Sequence, residues 1–122
     1  MASFNFKQGT GASNDQTGRN IGFACSVATY SATLVLGPNS KNTEYSLSLT
    51  GACALNLSTE NADLGDRVTI LTKSDGTNRV TTWGANISTS TATLTTLANK
   101  TGVAIFVFSG TKWIQVSNNA EA

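Results

Sequence analysis

The sequence contains no histidine and only two cysteines among 122 residues. Without histidine the chain cannot build a Ser-His-Asp or Cys-His nucleophile, and it lacks the commonest protein ligand of transition metals. Two widely spaced cysteines, Cys25 and Cys53, do not supply the four ligands of a structural zinc site. We therefore expect a protein that is not an enzyme and that holds no metal or cofactor.

Charged residues are also scarce, at 12% of the chain with a formal net charge of +1. Binding to nucleic acid or anionic lipid by electrostatic attraction needs a basic surface, which this composition does not provide. No segment is long and apolar enough to span a bilayer, and the amino terminus lacks the features of a secretory signal. We expect no nucleic-acid partner, no membrane association and synthesis in a cytoplasm.

Each cysteine lies within a short apolar run of the sequence. A disulfide between Cys25 and Cys53 is disfavoured in a reducing cytosol. Free cysteine is among the most buried residue types in folded proteins. The pattern therefore predicts two buried free thiols.

Residues 1–20 differ in composition from the rest of the chain. They are rich in Gly, Ser, Asn, Gln and Thr, with Phe4 and Phe6 as large apolar side chains. Such a segment is typical of a flexible arm, preceding one β domain over residues 21–122. In an extended chain Phe4 and Phe6 point the same way, so they are candidate anchors for docking on a larger assembly. Packing of both rings on the protein's own oligomer is the alternative.

From residue 21 onwards, short runs alternate apolar and hydroxylated residues, which is the periodicity of β-strands. Two such runs flank Gly51 and predict a hairpin, with apolar positions at Tyr45, Leu47, Leu49, Cys53, Leu55 and Leu57. A second hairpin is predicted where residues 67–72, with Val68 and Ile70 on one face, pass through an Asp-Gly turn into residues 79–83.

The run from Val103 to Phe108 is apolar on both faces, which predicts a strand buried on both sides. A short turn then leads into a last strand that begins near Trp113. Because the core of so short a chain is small, we expect the second face to lie against other copies. The predicted subunit-interface residues are Val103, Ile105, Phe106, Phe108 and Trp113.

Residues that favour helices are sparse, while Thr, Ser, Asn and Gly dominate. The spacing of runs and turns predicts an all-β fold, an antiparallel sandwich or barrel of about eight short strands, similar to a jelly roll.

Two sets of side chains are candidates for chemistry. Asp63 and Asp66 have the spacing of a turn whose carboxylates cap backbone N–H groups, and a glycosidase pair is the alternative. Trp83 and Trp113 could stack on a sugar ring, although a tryptophan near a turn is more often part of the core. They form the candidate glycan platform.

Several short motifs recur together in the second half of the chain. They are Gly-Asp-Arg-Val-Thr-Ile at 65–70, Asp-Gly-Thr-Asn-Arg-Val-Thr at 75–81, Trp-Gly at 83–84, Leu-Thr at 94–95, Ala-Asn-Lys at 98–100, and Phe-Val-Phe-Ser-Gly-Thr-Lys-Trp at 106–113. As a set, residues 65–117 resemble a β-module of bacteriophage head fibres, capsid decoration proteins and tail-fibre tips.

The resemblance implies a homotrimeric structural protein of the virion with no catalytic residues. A short chain with an amino-terminal arm fits a capsid decoration or head-fibre subunit that attaches to the major capsid protein or another virion protein. The alternative is a carbohydrate-binding, receptor-recognition domain of a tail fibre, whose partner is a glycan of the host surface.

Overall fold

A computed structural model describes residues 20–122 of the protein. Within this range the chain forms ten β-strands and no helix. The strands are β1 (Asn20–Ala28), β2 (Thr33–Leu36), β3 (Ser40–Leu49), β4 (Cys53–Leu57), β5 (Arg67–Ser74), β6 (Arg79–Trp83), β7 (Ile87–Ser88), β8 (Thr93–Thr96), β9 (Thr101–Phe108) and β10 (Trp113–Ala120). The expected all-β character is confirmed.

The first six strands alternate between two sheets. The six-stranded sheet has the order β1-β3-β5-β9-β10-β7, and the four-stranded sheet has the order β2-β4-β6-β8. Neighbours β1, β3 and β5 are parallel, as are β2, β4 and β6. The chain thus winds through three coils, each with one strand in either sheet, and this is a β-solenoid. The expectation of an antiparallel, jelly-roll-like sandwich or barrel is wrong.

The two hairpins predicted within residues 45–83 are also wrong, because their strands lie in different sheets. The prediction of which residues share the buried face of each strand is correct. Tyr45, Leu47 and Leu49 are buried as expected, and so are the alternate apolar residues of β4. The turn at Gly51 does not fold β4 back onto β3, because it carries the chain into the opposite sheet. The Asp-Gly turn at 75–76 does the same between β5 and β6. Alternation determines which side chains share a face of the strand, and it does not identify the neighbouring strand.

The carboxy-terminal strands change direction and close the solenoid. Strand β9 runs antiparallel to β5, and β10 runs antiparallel to β9 with Trp113 opposite Phe108. In the other sheet β8 is antiparallel to β6. The predicted turn between β9 and β10 is therefore confirmed, and Gly110 within it has a φ of 102°, which favours glycine.

The core lies between the two sheets. The indole of Trp83 meets the ring of Phe106 edge to face at 5.1 Å, and Phe108 and Trp113 are also 5.1 Å apart. The apolar core residues are Tyr45, Leu47, Leu49, Cys53, Leu55, Leu57, Val68, Ile70, Trp83, Ile87, Leu94, Ala104, Phe106, Phe108 and Trp113.

Threonines occupy the end of the core where β5 and β8 meet. The hydroxyls of Thr72 and Thr96 lie 2.7 Å apart, and both side chains are fully buried. Gly102 packs against them so closely that a Cβ there would lie 2.7 Å from the Thr72 hydroxyl. The hydrogen bond between the two hydroxyls gives each buried oxygen a partner inside the core.

Candidate interaction surface

The outer face of the six-stranded sheet carries a strip of apolar side chains centred on β9. Val103, Ile105 and Val107 point outward from β9 and are half-buried. Leu71 of β5 pairs with Val103, and Ile114 of β10 pairs with Val107. Ile114 is 40% exposed and the neighbouring Val116 is 54% exposed. We call these six residues the β9 strip: Leu71, Val103, Ile105, Val107, Ile114 and Val116.

A second apolar strip lies on β1, at the edge of the same face. Phe23 is 58% exposed and Val27 is 84% exposed, and Cys25 between them is exposed too. Between residues 23 and 28 the inward positions of this strand hold the small residues Ala24, Ser26 and Ala28. We call Phe23, Cys25 and Val27 the β1 strip. Its large side chains face away from the core.

A polar band separates the two strips. Strand β3 presents Asn42, Glu44, Ser46 and Ser48 on this face, and β5 adds Arg67 and Lys73 at its two ends. A shallow hollow of about 270 Å³ lies along the boundary, lined by Cys25, Ser26, Val27, Glu44, Ser46 and Leu71. The face therefore alternates apolar, polar and apolar from β1 to β9.

The Cys25 thiol donates a hydrogen bond to Glu44 Oε1 at 3.4 Å. Desolvation by its neighbours, then the hydrogen bond and charge of Glu44, raise the pKa of Cys25 above the ordinary cysteine value. Cys53 is buried in the core, and that burial raises its pKa as well. The expectation of two buried thiols holds for Cys53 and is wrong for Cys25, because Cys25 occupies an outward position of an edge strand.

The outer face of the four-stranded sheet is different in character. It presents exposed threonines on β6 and β8, namely Thr82, Thr93 and Thr95. Val35 of β2 is 59% exposed and Val80 of β6 is 39% exposed. No half-buried apolar strip comparable with that of β9 is present on this face within the described strands.

The predicted interface residues divide between the two sides of β9. Val103 and Ile105 lie on the outer face, in the β9 strip. Phe106, Phe108 and Trp113 are buried in the core of their own chain, at 0%, 4% and 0% exposure, and so are not available for contact with another copy. Inward and outward residues alternate along a strand, so one strand supplies both sets.

Sequence reasoning missed the β1 strip and Leu71. The signal for the β1 strip was the alternation of Phe23 and Val27 with the small residues between them, which places the larger side chains on one face. Nothing in that alternation identifies the large face as the outer one.

The candidate glycan platform is corrected by the positions of its two indoles. Trp113 is fully buried and donates its Nε1 proton to the carbonyl of Ser58 at 3.0 Å. Trp83 is 7% exposed and packs on Phe106. A sugar ring needs an open aromatic face for stacking, and neither indole presents one.

Asp63 and Asp66 lie in the loop before β5. Asp66 is fully buried, and its Oδ2 accepts a hydrogen bond from the amide of Asp63 at 2.9 Å. Lys41 Nζ lies 3.8 Å from the other Asp66 oxygen. The Asp66 amide returns a bond to the carbonyl of Asp63 at 3.0 Å. The carboxylate of Asp66 thus closes the loop as expected for a cap, whereas Asp63 is exposed.

The remaining expectations concern metals, membranes and the arm. Among residues 20–122, no group of three or more His, Cys, Asp or Glu side chains is placed to hold a metal ion. The same part of the chain contains no helix that could cross a bilayer. The predicted docking residues Phe4 and Phe6 lie outside the described residues.

Comparison with known proteins leaves the family open. No family model matches the sequence, and no curated protein matches it. One matching solved structure is described as "Structure of a chaperone-substrate complex". It shares 23% identity over 74% of this chain with a TM-score of 0.37, and the match covers 13% of that protein's chain. A likeness at this level carries no inference about function.

Proposed function

We propose that the protein is a non-enzymatic structural subunit of a bacteriophage virion surface, a capsid decoration or head-fibre protein that works as a homotrimer. The observation that carries the proposal is the pair of exposed apolar strips on the outer face of the six-stranded sheet. The resemblance of residues 65–117 to phage virion modules supplies the biological setting.

The exposure of that face supports assembly. Soluble monomers rarely leave large contiguous apolar patches in water, because each buried Å² of apolar surface contributes about 25 cal/mol. Val27, Phe23 and Val116 are all more than half exposed. A closed oligomer would cover such side chains and, by its symmetry, would limit further association.

The low charge and the hydroxyl-rich surface favour a structural role over catalysis. Asp66, the buried carboxylate of the loop before β5, is engaged with the Asp63 amide and therefore lacks the open position that a glycosidase acid needs. The glycan-binding alternative has no support from Trp83 or Trp113, because both are core residues.

The proposal is tested first by the mass of the purified protein in light scattering. We expect three times the chain mass of 12.7 kDa at micromolar concentration. A monomer under these conditions contradicts the oligomeric part of the proposal.

The virion part is tested by immunogold labelling of particles from the phage that encodes the chain. We expect label at repeated positions on the capsid, and no label on particles from a deletion strain. Deleting residues 1–20 should leave the oligomer intact and remove the label, because Phe4 and Phe6 are the proposed anchors. Unlabelled wild-type particles would contradict a virion role.

A further inference from the structure

The positions of the two apolar strips on the six-stranded sheet indicate how two copies of the chain could pack together. Both strips lie on the same face, and the outward polar side chains of β3 lie between them. We propose that the β1 strip of one copy packs on the β9 strip of a second copy. This inference rests on the proposed function, which requires self-association, and it identifies the surface that carries it.

The two strips are complementary in shape, because the side chains of one protrude further than those of the other. The β1 strip offers protruding side chains, since Phe23 and Val27 are 58% and 84% exposed. The β9 strip offers lower relief, since Val103, Ile105 and Val107 are half-buried between their neighbours. Protruding aromatic and β-branched groups on a flatter apolar surface form the kind of contact found at the centre of stable interfaces.

Charges on the polar band favour this pairing over like-with-like contact. Glu44 of β3 flanks the β1 strip, whereas Arg67 and Lys73 of β5 flank the β9 strip. In a trimer each copy gives its β1 strip to one neighbour and its β9 strip to the other, so contact between unlike strips brings opposite charges to each interface. Superposing β3 on β3 would instead bring two Glu44 side chains together, which is unfavourable.

The area of the face sets the scale of the contact. Five strands at about 4.8 Å spacing and eight residues at about 3.3 Å give a face on the order of 600 Å². A closed trimer that covers three such faces removes roughly 1,800 Å² from water in total. With a formal net charge of only +1, copies of the chain do not strongly repel one another.

The first test compares two exposed valines on edge strands. Val27→Glu places a charge in the β1 strip, and Val35→Glu places the same charge on β2, 59% exposed on the other sheet. We expect Val27→Glu to weaken the oligomer roughly tenfold or more, since the interface would bury an unpaired carboxylate. Val35→Glu should keep the wild-type mass in light scattering. Equal masses for both variants would overturn the proposal.

The second test locates the partner strip by cross-linking in a Cys25→Ser background. Val27 and Val103 lie in one row of the sheet, three strand spacings or about 14 Å apart, which is too far for a disulfide within one chain. A mixture of Val27→Cys chains and Val103→Cys chains should form covalent dimers on oxidation, while each variant alone should not. Cross-links confined to like variants, or none in the mixture, would overturn the pairing.

These outcomes also separate this inference from the proposed function. An oligomeric wild type that labels virions but is unaffected by Val27→Glu contradicts the strip pairing alone. A wild type that is monomeric in solution contradicts both the strip pairing and the trimer. Retention of the oligomer by Val35→Glu, with loss in Val27→Glu and cross-links in the mixture, is the result we expect.

Discussion

The first and second coils of the solenoid follow the same path through both sheets, yet their strands in the six-stranded sheet distribute large side chains in opposite ways. In the second coil, β3 and β4, the large apolar residues point inward and are buried. In the first coil, β1 carries Ala24 and Ser26 inward and Phe23 and Val27 outward. On β2, Leu34 points inward and is only partly buried, while Val35 is exposed.

The difference follows from position in the stack. Strands β3 and β4 each have a parallel neighbour on both sides, whereas β1 and β2 are edge strands of their sheets. A coil with two neighbours buries its inward side chains completely. A terminal coil has one neighbour, so it can contribute less to the core and can place its larger residues where another molecule would cover them.

The largest difference in stability between the two coils is expected when a leucine of each is truncated to alanine. Leu55 in β4 is fully buried, so Leu55→Ala should lower the free energy of unfolding by about 2–5 kcal/mol. Leu34→Ala in β2 should cost roughly half as much, since Leu34 is partly buried. Urea denaturation followed by tryptophan fluorescence measures both. Equal losses would show that the first coil is packed as tightly as the second.

The loop that leads out of the second coil provides the next effect. Asp66→Asn should cost about 1–3 kcal/mol, because it weakens a charged acceptor in a fully buried position beside Lys41. Asp63→Asn, at an exposed position, should cost less than about 0.5 kcal/mol. Thermal unfolding of the two variants provides the comparison. A larger loss for Asp63→Asn would contradict the assignment of Asp66 as the cap.

One tyrosine in each of the two coils donates its hydroxyl proton to a backbone carbonyl, so the strengths of the two hydrogen bonds can be compared. Tyr45 in the second coil is buried, donates to the Gly37 carbonyl and accepts from Asn39 at 3.2 Å. Tyr30 after β1 donates to the Ala52 carbonyl at 2.7 Å from a half-buried position. We expect a loss of about 1–2 kcal/mol for Tyr45→Phe and about 0.5–1 kcal/mol for Tyr30→Phe in urea denaturation. The reverse order would indicate that the turn after β1 is the more tightly held.

The smallest effect concerns the reactivity of the cysteine in each coil. Because its pKa is raised, Cys25 has less thiolate than a free cysteine near pH 8, and its alkylation by iodoacetamide should be slower. Glu44→Gln removes the charge that helps raise the pKa, so alkylation should become roughly two- to fivefold faster. Cys53, buried in β4, should react only on unfolding. An unchanged rate in Glu44→Gln would show that Glu44 does not act on the thiol.

Several features of the fold could be predicted from the sequence, because they depend on residues that are close together in the chain. Alternation identified the inward residues of β3, β4 and β5, and the Ser-Gly-Thr turn identified the β9–β10 hairpin. The burial of Trp83 and Trp113 agrees with the more frequent role of tryptophan near turns. The site was accessible only in part: Val103 and Ile105 belong to the β9 strip, while the β1 strip was not anticipated.

The all-β character and the set of residues that share each face of a strand follow from residue order alone, since both depend on side-chain properties repeated at a period of two residues. The partner of each strand and the identity of its outer face depend on contacts between strands that are distant in sequence. A turn such as that at Gly51 permits a hairpin or a crossing to the opposite sheet, and the choice depends on burial against strands distant in sequence. The same dependence explains β1, where alternating large and small residues acquire an outside and an inside only once β3 lies beside them.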